Sequence, residues 1–186
     1  MRMADPLKIL FCVNAGAGPR RRDPLAWLRN TELLKDHLPI TLVLGEDRAN
    51  AIKEAIKEHL PDIVVAVGGD GTVNLVAGMV GGTGKAMGIV PTGSANGLAT
   101  DLGIPMDPDQ ALKLILSGEA KPVDAIEING KDICIHLSDL GMNAQLIKHF
   151  DDTPARGMFT YARLSLKVLR NRKRLKVTVE TDQGKI

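Results

Sequence analysis

The sequence predicts an α/β protein, an open and mostly parallel sheet with helices on both faces, followed by the start of a β-rich second domain. Short β-branched runs alternate with amphipathic segments through residues 1–121. Two of those runs end abruptly in glycine-containing turns that lead into helical segments. Beyond residue 121 the alternation stops, and an Asn129-Gly130 pair between two apolar runs signals a hairpin. The expected domains are therefore 1–121, an α/β unit, and 122–186, part of a β-rich one.

The elements follow in order. Residues 7–13 are the expected first strand and 14–23 a glycine-containing loop. A helix is expected over 24–37, with Pro24 near its first turn, where its missing N–H leaves no bond unmade. Residues 40–44 give a second strand, and 49–59 a helix with apolar positions at helical spacing. A strand at 63–67, a helix at 72–80 and a strand at 87–90 come next. A helix from about residue 96 and another over 108–116 complete the first domain. Strands at 123–128 and 133–137 flank the Asn-Gly turn. A mostly helical stretch then runs to residue 169, interrupted near Pro154. Residues 174–181 alternate as a strand and 182–185 read as a turn. With no returning strand, this end is expected to be an unfinished hairpin, and the second domain truncated.

Composition excludes some classes. The chain has 186 residues, 44% hydrophobic and 25% charged, which suits a globular domain with a sizeable core. A net charge of +2 is too small to argue for nucleic acid, and 3% aromatics leave no stacking platform for single strands. Cys12 and Cys134 lie in apolar strand-like runs, as expected of reduced, packed thiols in a cytoplasmic protein. No apolar stretch reaches the length of a membrane span. His37, His59, His136 and His149 are scattered without metal-ligand spacing. The Arg20-Arg21-Arg22 run and the basic run 170–174 read as solvated surface.

The chemistry is concentrated in two loops. Residues 63–74 read Ile-Val-Val-Ala-Val-Gly-Gly-Asp-Gly-Thr-Val-Asn. This is a buried strand running into a turn that carries one carboxylate, then a helix. Glycines at 68, 69 and 71 let a backbone approach a bulky ligand or adopt positive φ. Thr72 is placed to cap the helix, whose first amides would face a phosphate. The strand ending at Val90 runs into Pro91-Thr92-Gly93-Ser94-Ala95-Asn96-Gly97-Leu98-Ala99. In an open parallel sheet, adjacent strand ends line one crevice. Lys85 does not belong to a Walker A loop, since Ala86 follows it and residue 79 is not glycine.

Gly68-Gly69-Asp70-Gly71-Thr72, followed by Pro91-x-Gly93-Ser94-x-Asn96, resembles the catalytic domain shared by diacylglycerol kinases, sphingosine kinases and bacterial lipid kinases. Weaker similarity extends over the Asn14 loop, Val123-Asp124, Gly141-Met142-Asn143-Ala144 and residues 157–161. The resemblance implies ATP and Mg²⁺ as cofactors and a lipid hydroxyl as acceptor, met at the membrane surface by a protein without a transmembrane segment. It implies Asp70 as catalytic acid–base residue and metal ligand, with Asp124 as a second metal candidate. Asn14, Gly68, Gly69, Gly71, Thr72, Asn74, Gly93, Ser94 and Asn96 are the implied nucleotide contacts. An oligomer is compatible with it.

The chain departs from the family pattern in three places. The first loop is Asn14-Ala15-Gly16-Ala17-Gly18, without the usual proline and serine. Leu75 stands where a glutamate often follows Asn74. Gly97 stands where diacylglycerol kinases usually have aspartate, which brings the second loop closer to the sphingosine-kinase pattern. The alternatives are an NAD kinase and a nucleotide-binding module without catalysis.

Overall fold

A computed structural model of the chain describes residues 5–16, 23–128, 132–136, 180–181 and 184–185. It divides into two units, Met1–His136 and Leu137–Ile186.

The first unit is built on four parallel strands: β1 (Lys8–Val13), β2 (Leu38–Val43), β3 (Ile63–Gly68) and β4 (Ala86–Pro91). Their order in the sheet is β2-β1-β3-β4. The register pairs Phe11 with both Thr41 and Val65, and Gly68 with Pro91. The chain leaves β1 in one direction and later returns across it to β3. The reversal point therefore falls between β1 and β3, where such sheets bind ligands outside the strand C-termini.

Alternating side chains divide the strands between two cores. Leu10, Cys12, Val64, Ala66 and Ile89 pack with α2 (Arg48–His59), α3 (Asp70–Val80) and α4 (Gly97–Asp101). Ile9, Phe11, Val13, Val65, Val67 and Val90 pack with α1 (Pro24–Asn30), the 3-10 turn Glu32–Leu34 and α5 (Pro108–Ser117). β1 and β3 are fully buried along most of their length because helices cover both faces. This is the predicted α/β architecture.

Boundaries differ where local chemistry intervenes. The expected helix 24–37 stops at Asn30, because Thr31 turns extended and caps the 3-10 turn by accepting from Leu33 N. α3 begins two residues early, at Asp70, with Gly69 as its N-cap. Thr72 is therefore not the cap but lies inside the first turn. β2 begins at Leu38, two residues before the expected start.

After α5 the chain forms a short antiparallel pair, β5 (Ile126–Ile128) with β6 (Asp132–Cys134). The Asn129-Gly130 turn lies outside the described residues. β6 docks on α3: Ile133 side-chain atoms come to 3.7 Å and 3.8 Å of where Cβ atoms would stand on Gly78 and Gly81. Asn74 completes the junction, its Nδ2 donating to Ile133 O at 2.9 Å and its Oδ1 accepting from Ile135 N at 3.2 Å. In the second unit, β7 (Glu180–Thr181) pairs antiparallel with β8 (Gly184–Lys185). The expected hairpin without a returning strand is thus corrected: Gly184 and Lys185 return. The long helical stretch, the Gly141–Ala144 and 157–161 similarities, the two arginine runs and His149 lie outside the described residues.

Candidate functional site

The site is assembled from the C-terminal ends of three adjacent strands. At the end of β1, Asn14 N donates to Val67 O at 3.0 Å, extending the β1–β3 ladder by one residue. Its side chain then joins two loops. Oδ1 accepts from Gly16 N at 3.2 Å, closing a tight local turn, and Nδ2 donates to Thr72 Oγ1 at 3.2 Å.

Thr72 is 4% exposed. Its side chain occupies the space over Gly68, where any Cβ would collide with Thr72 Oγ1. Gly68 is therefore glycine because Thr72 needs the room.

The two glycine loops meet backbone to backbone. Thr92 N donates to Gly68 O at 3.0 Å. A Cβ on Gly69 would lie 3.2 Å from the Cα of Gly93, and a Cβ on Gly93 would strike the Cα of Gly69. The positive φ that glycine would allow is used at neither Gly69 nor Gly71. Gly69 is extended at φ −94° and Gly71 is helical. What Gly69 and Gly93 require is close approach, not a left-handed backbone.

The positive φ in this region belongs to Asn96, at 53°. Its amide folds the second loop on itself: Oδ1 accepts from Gly93 N at 2.9 Å and Nδ2 donates to Gly93 O at 2.9 Å. Ser94 sits exposed at that loop's tip. Thr92 Oγ1, which the sequence reading passed over, is buried without a partner among the described residues.

Asp70 stands in the first turn of α3, where a carboxylate is favoured by the helix dipole. It also reaches across the crevice, its Oδ1 accepting from Leu98 N at 3.2 Å in the first turn of α4. Because Gly69 has no side chain, α3 has no side-chain cap. Gly71 is exposed, and a Cβ there would meet nothing within 4 Å among the described residues. Beside Gly97 stands an imidazole: a Cβ on Gly97 would lie 2.7 Å from His136 Cε1. His136 Nε2 is 2.9 Å from Asp101 Oδ2. Neither residue stood out in the sequence, for nothing local to either announces the pair.

The structure thus brings Asn14, Gly68, Gly69, Asp70, Gly71, Thr72, Gly93, Ser94 and Asn96 to neighbouring loops. Asn74 is in the same helix, but both ends of its amide are taken by the β6 backbone. Asp124 is exposed in an irregular segment before β5. A surface groove of about 580 Å³ elsewhere, lined by Trp27, Glu32, Asp109 and Lys113 among others, contains none of these residues.

A helix start with one carboxylate and two facing glycine loops thus stand at the C-terminal ends of β3 and β4, next to the Asn14 loop after β1. Residues 8–128 match the model of the diacylglycerol kinase catalytic domain. The chain belongs to that family. It is 35% identical over 144 residues to a probable lipid kinase YegS-like protein of Klebsiella pneumoniae, covering 76% of this chain and 48% of the relative. It is 34% identical over 149 residues to the probable lipid kinase YegS of Escherichia fergusonii, covering 77% and 49%. A crystal structure of a diacylglycerol kinase from Bacillus anthracis superposes with a TM-score of 0.58 at 27% identity, covering 69% of this chain and 46% of that one. The chain spans about half the length of the curated relatives it matches.

The family implies magnesium, which is held by oxygen donors. No cluster of three or more His, Cys, Asp or Glu that could hold a metal occurs among the described residues. Asp70 offers a carboxylate with one oxygen already engaged by an amide. That donor set fits a cation shared with phosphate oxygens, the usual habit of Mg²⁺, and not a cage made by protein alone.

Proposed function

We propose that this domain binds Mg²⁺-ATP at the β1, β3 and β4 loop ends and transfers its γ-phosphoryl group to a lipid hydroxyl. The acceptor is of the diacylglycerol or sphingoid-base class, met at the surface of a membrane by a cytoplasmic protein. The observation that carries the reading is the start of α3. An exposed glycine in a helix lowers stability relative to alanine, and no described residue fills the space beside Gly71. Its value is that the α3 amides stay open to a phosphate.

The geometry supports the following roles. The amides at the start of α3 donate to phosphate oxygens. Asp70 would hold Mg²⁺, whose charge would offset the repulsion between its carboxylate and a phosphate. Ser94 Oγ is a further donor at the facing loop. Asn14 and Asn96 hold their loops in shape, Asn14 through Thr72 and Asn96 through Gly93. Mg²⁺ bound to the nucleotide supplies charge neutralisation at the transferring phosphoryl group. Asp124 meets no partner among the described residues and has no role in this reading.

The test is phosphoryl transfer from ATP by the full chain against a panel of diacylglycerols, sphingoid bases and NAD, with Asp70→Asn alongside. Asn retains an oxygen for Leu98 N, so the variant should fold. Its turnover should fall about 10²-fold or more. Transfer to NAD but not to lipid would replace this reading with the NAD kinase one. Nucleotide binding without transfer to any acceptor would leave a binding module.

A further inference from the structure

Two of the chain's eight asparagines, Asn96 and Asn129, are followed directly by glycine. Asparagine is chemically labile, and most so before glycine, whose nitrogen has no neighbouring side chain to hinder its attack on the asparagine amide. In the folded chain that attack on Asn96 is held off. Its Oδ1 accepts from Gly93 N and its Nδ2 donates to Gly93 O, each at 2.9 Å. The peptide that follows is fixed as well: Asn96 O accepts from Thr100 N and from Thr100 Oγ1, both at 3.0 Å. Release is nonetheless a local event. α4 spans only the five residues Gly97–Asp101, and a helix that short has little stability of its own. Asn96 gives it no side-chain cap, because the amide is spent on Gly93. Asn96 itself sits at φ 53° and ψ 46°, and the preceding Ser94 and Ala95 are exposed.

We propose that Asn96 is a modification site, converting spontaneously to aspartate and isoaspartate when the first turn of α4 frays, and that the conversion disables the second loop. The step needs only water. The Gly97 backbone nitrogen loses its proton and bonds to Asn96 Cγ. The Cγ–Nδ2 bond breaks, and Nδ2 leaves as ammonia. Water then opens the cyclic imide. Cleavage of the new nitrogen–Cγ bond gives aspartate, and cleavage of the original peptide bond gives isoaspartate, which reroutes the main chain through the side chain. Aspartate at this position has no hydrogen to donate to Gly93 O, so two acceptors face each other where Nδ2 stood. It also adds a negative charge to a loop that faces phosphate in the reading above. That consequence for nucleotide rests on the kinase reading, whereas the conversion does not.

The full chain is held folded in mildly alkaline buffer beside a sample in urea. Peptide mass spectrometry, with isoaspartyl-specific enzymatic methylation, follows Asn96, Asn14 and Asn74. Asn14 and Asn74 precede Ala15 and Leu75, and their amides are hydrogen-bonded too. Asn96 should convert in the folded protein, more slowly than in urea but faster than either of the others. An Asn96 that stays intact when folded, or that converts no faster than Asn14 and Asn74, would overturn the proposal. Asn96→Asp, the homogeneous counterpart of one product, should bind Mg²⁺-ATP at least about tenfold more weakly than wild type, with circular dichroism to check that it folds. Wild-type affinity in that variant would make the conversion silent and overturn the claim that it disables the loop. A wild type that binds no nucleotide would remove the kinase reading and that claim with it, while the mass measurement still decides the conversion.

Discussion

At the scale of single residues, stability and function pull apart at Gly71. It is helical and exposed, with open space beside it among the described residues. Gly71→Ala should raise the unfolding free energy by about 0.4–1 kcal/mol while weakening ATP binding, read by urea denaturation and calorimetric titration of the same protein. Equal or tighter nucleotide binding would deny the phosphate a seat there. Cys12 gives a pH prediction. Its thiol is fully buried, and desolvation lifts its pKa from 9.0 to about 12. Between those values the unfolded chain releases a proton that the folded chain keeps. Stability from this group is therefore complete below about pH 9 and falls by about 1.4 kcal/mol per pH unit towards 12. The stability gap between wild type and Cys12→Ala should narrow over that window. Residue types in the glycine loops were legible from sequence because their order and spacing are local. Their purposes were less so. That Gly68 makes room for Thr72, and that Gly69 and Gly93 touch, depends on two strands being neighbours, which no local pattern encodes.

Among the elements, strand and helix positions followed periodicity closely wherever both core faces were apolar. The misread ends are those set by caps. Thr31 diverts α1 into a 3-10 turn, and Gly69 starts α3 before the threonine that looked like its cap. α2 is capped at its C-terminus by Leu60, which sits at φ 47° and is 66% exposed. A left-handed backbone suits glycine far better than leucine, and an exposed side chain contributes little packing. Leu60→Gly should stabilise the protein by about 1 kcal/mol, seen as a higher urea midpoint with an unchanged slope. Asn74 shows the opposite limit of sequence reading. Its placement one turn into α3 suggested a nucleotide contact, but the docking of β6, 59 residues away, claims its amide.

At the scale of the molecule, the β2-β1-β3-β4 order gathers the Asn14, Gly68–Thr72 and Gly93–Asn96 segments at one edge of the sheet. Alternating strands and helices predicted the parallel sheet, and with it a crevice at the strand ends. The strand order itself rests on packing between distant residues. A ligand that binds there only in the folded state adds stability by mass action, about 2.7 kcal/mol at a hundredfold excess over its Kd. Mg²⁺-ATP should raise Tm with concentration and slow amide exchange at residues 70–72 and 93–98 more than in α1 or α5. Uniform protection, or none, would move the nucleotide elsewhere.

Trp27 is the chain's single tryptophan. Its indole Nε1 donates to Asp109 Oδ1 at 2.7 Å, stitching α1 to α5 on the sheet face that holds neither α3 nor α4. The protein therefore carries an intrinsic optical probe of one seam. Selective indole excitation reports whether α1 and α5 remain docked, so its emission tracks unfolding of that layer. Events at the phosphate loops would need a different dye.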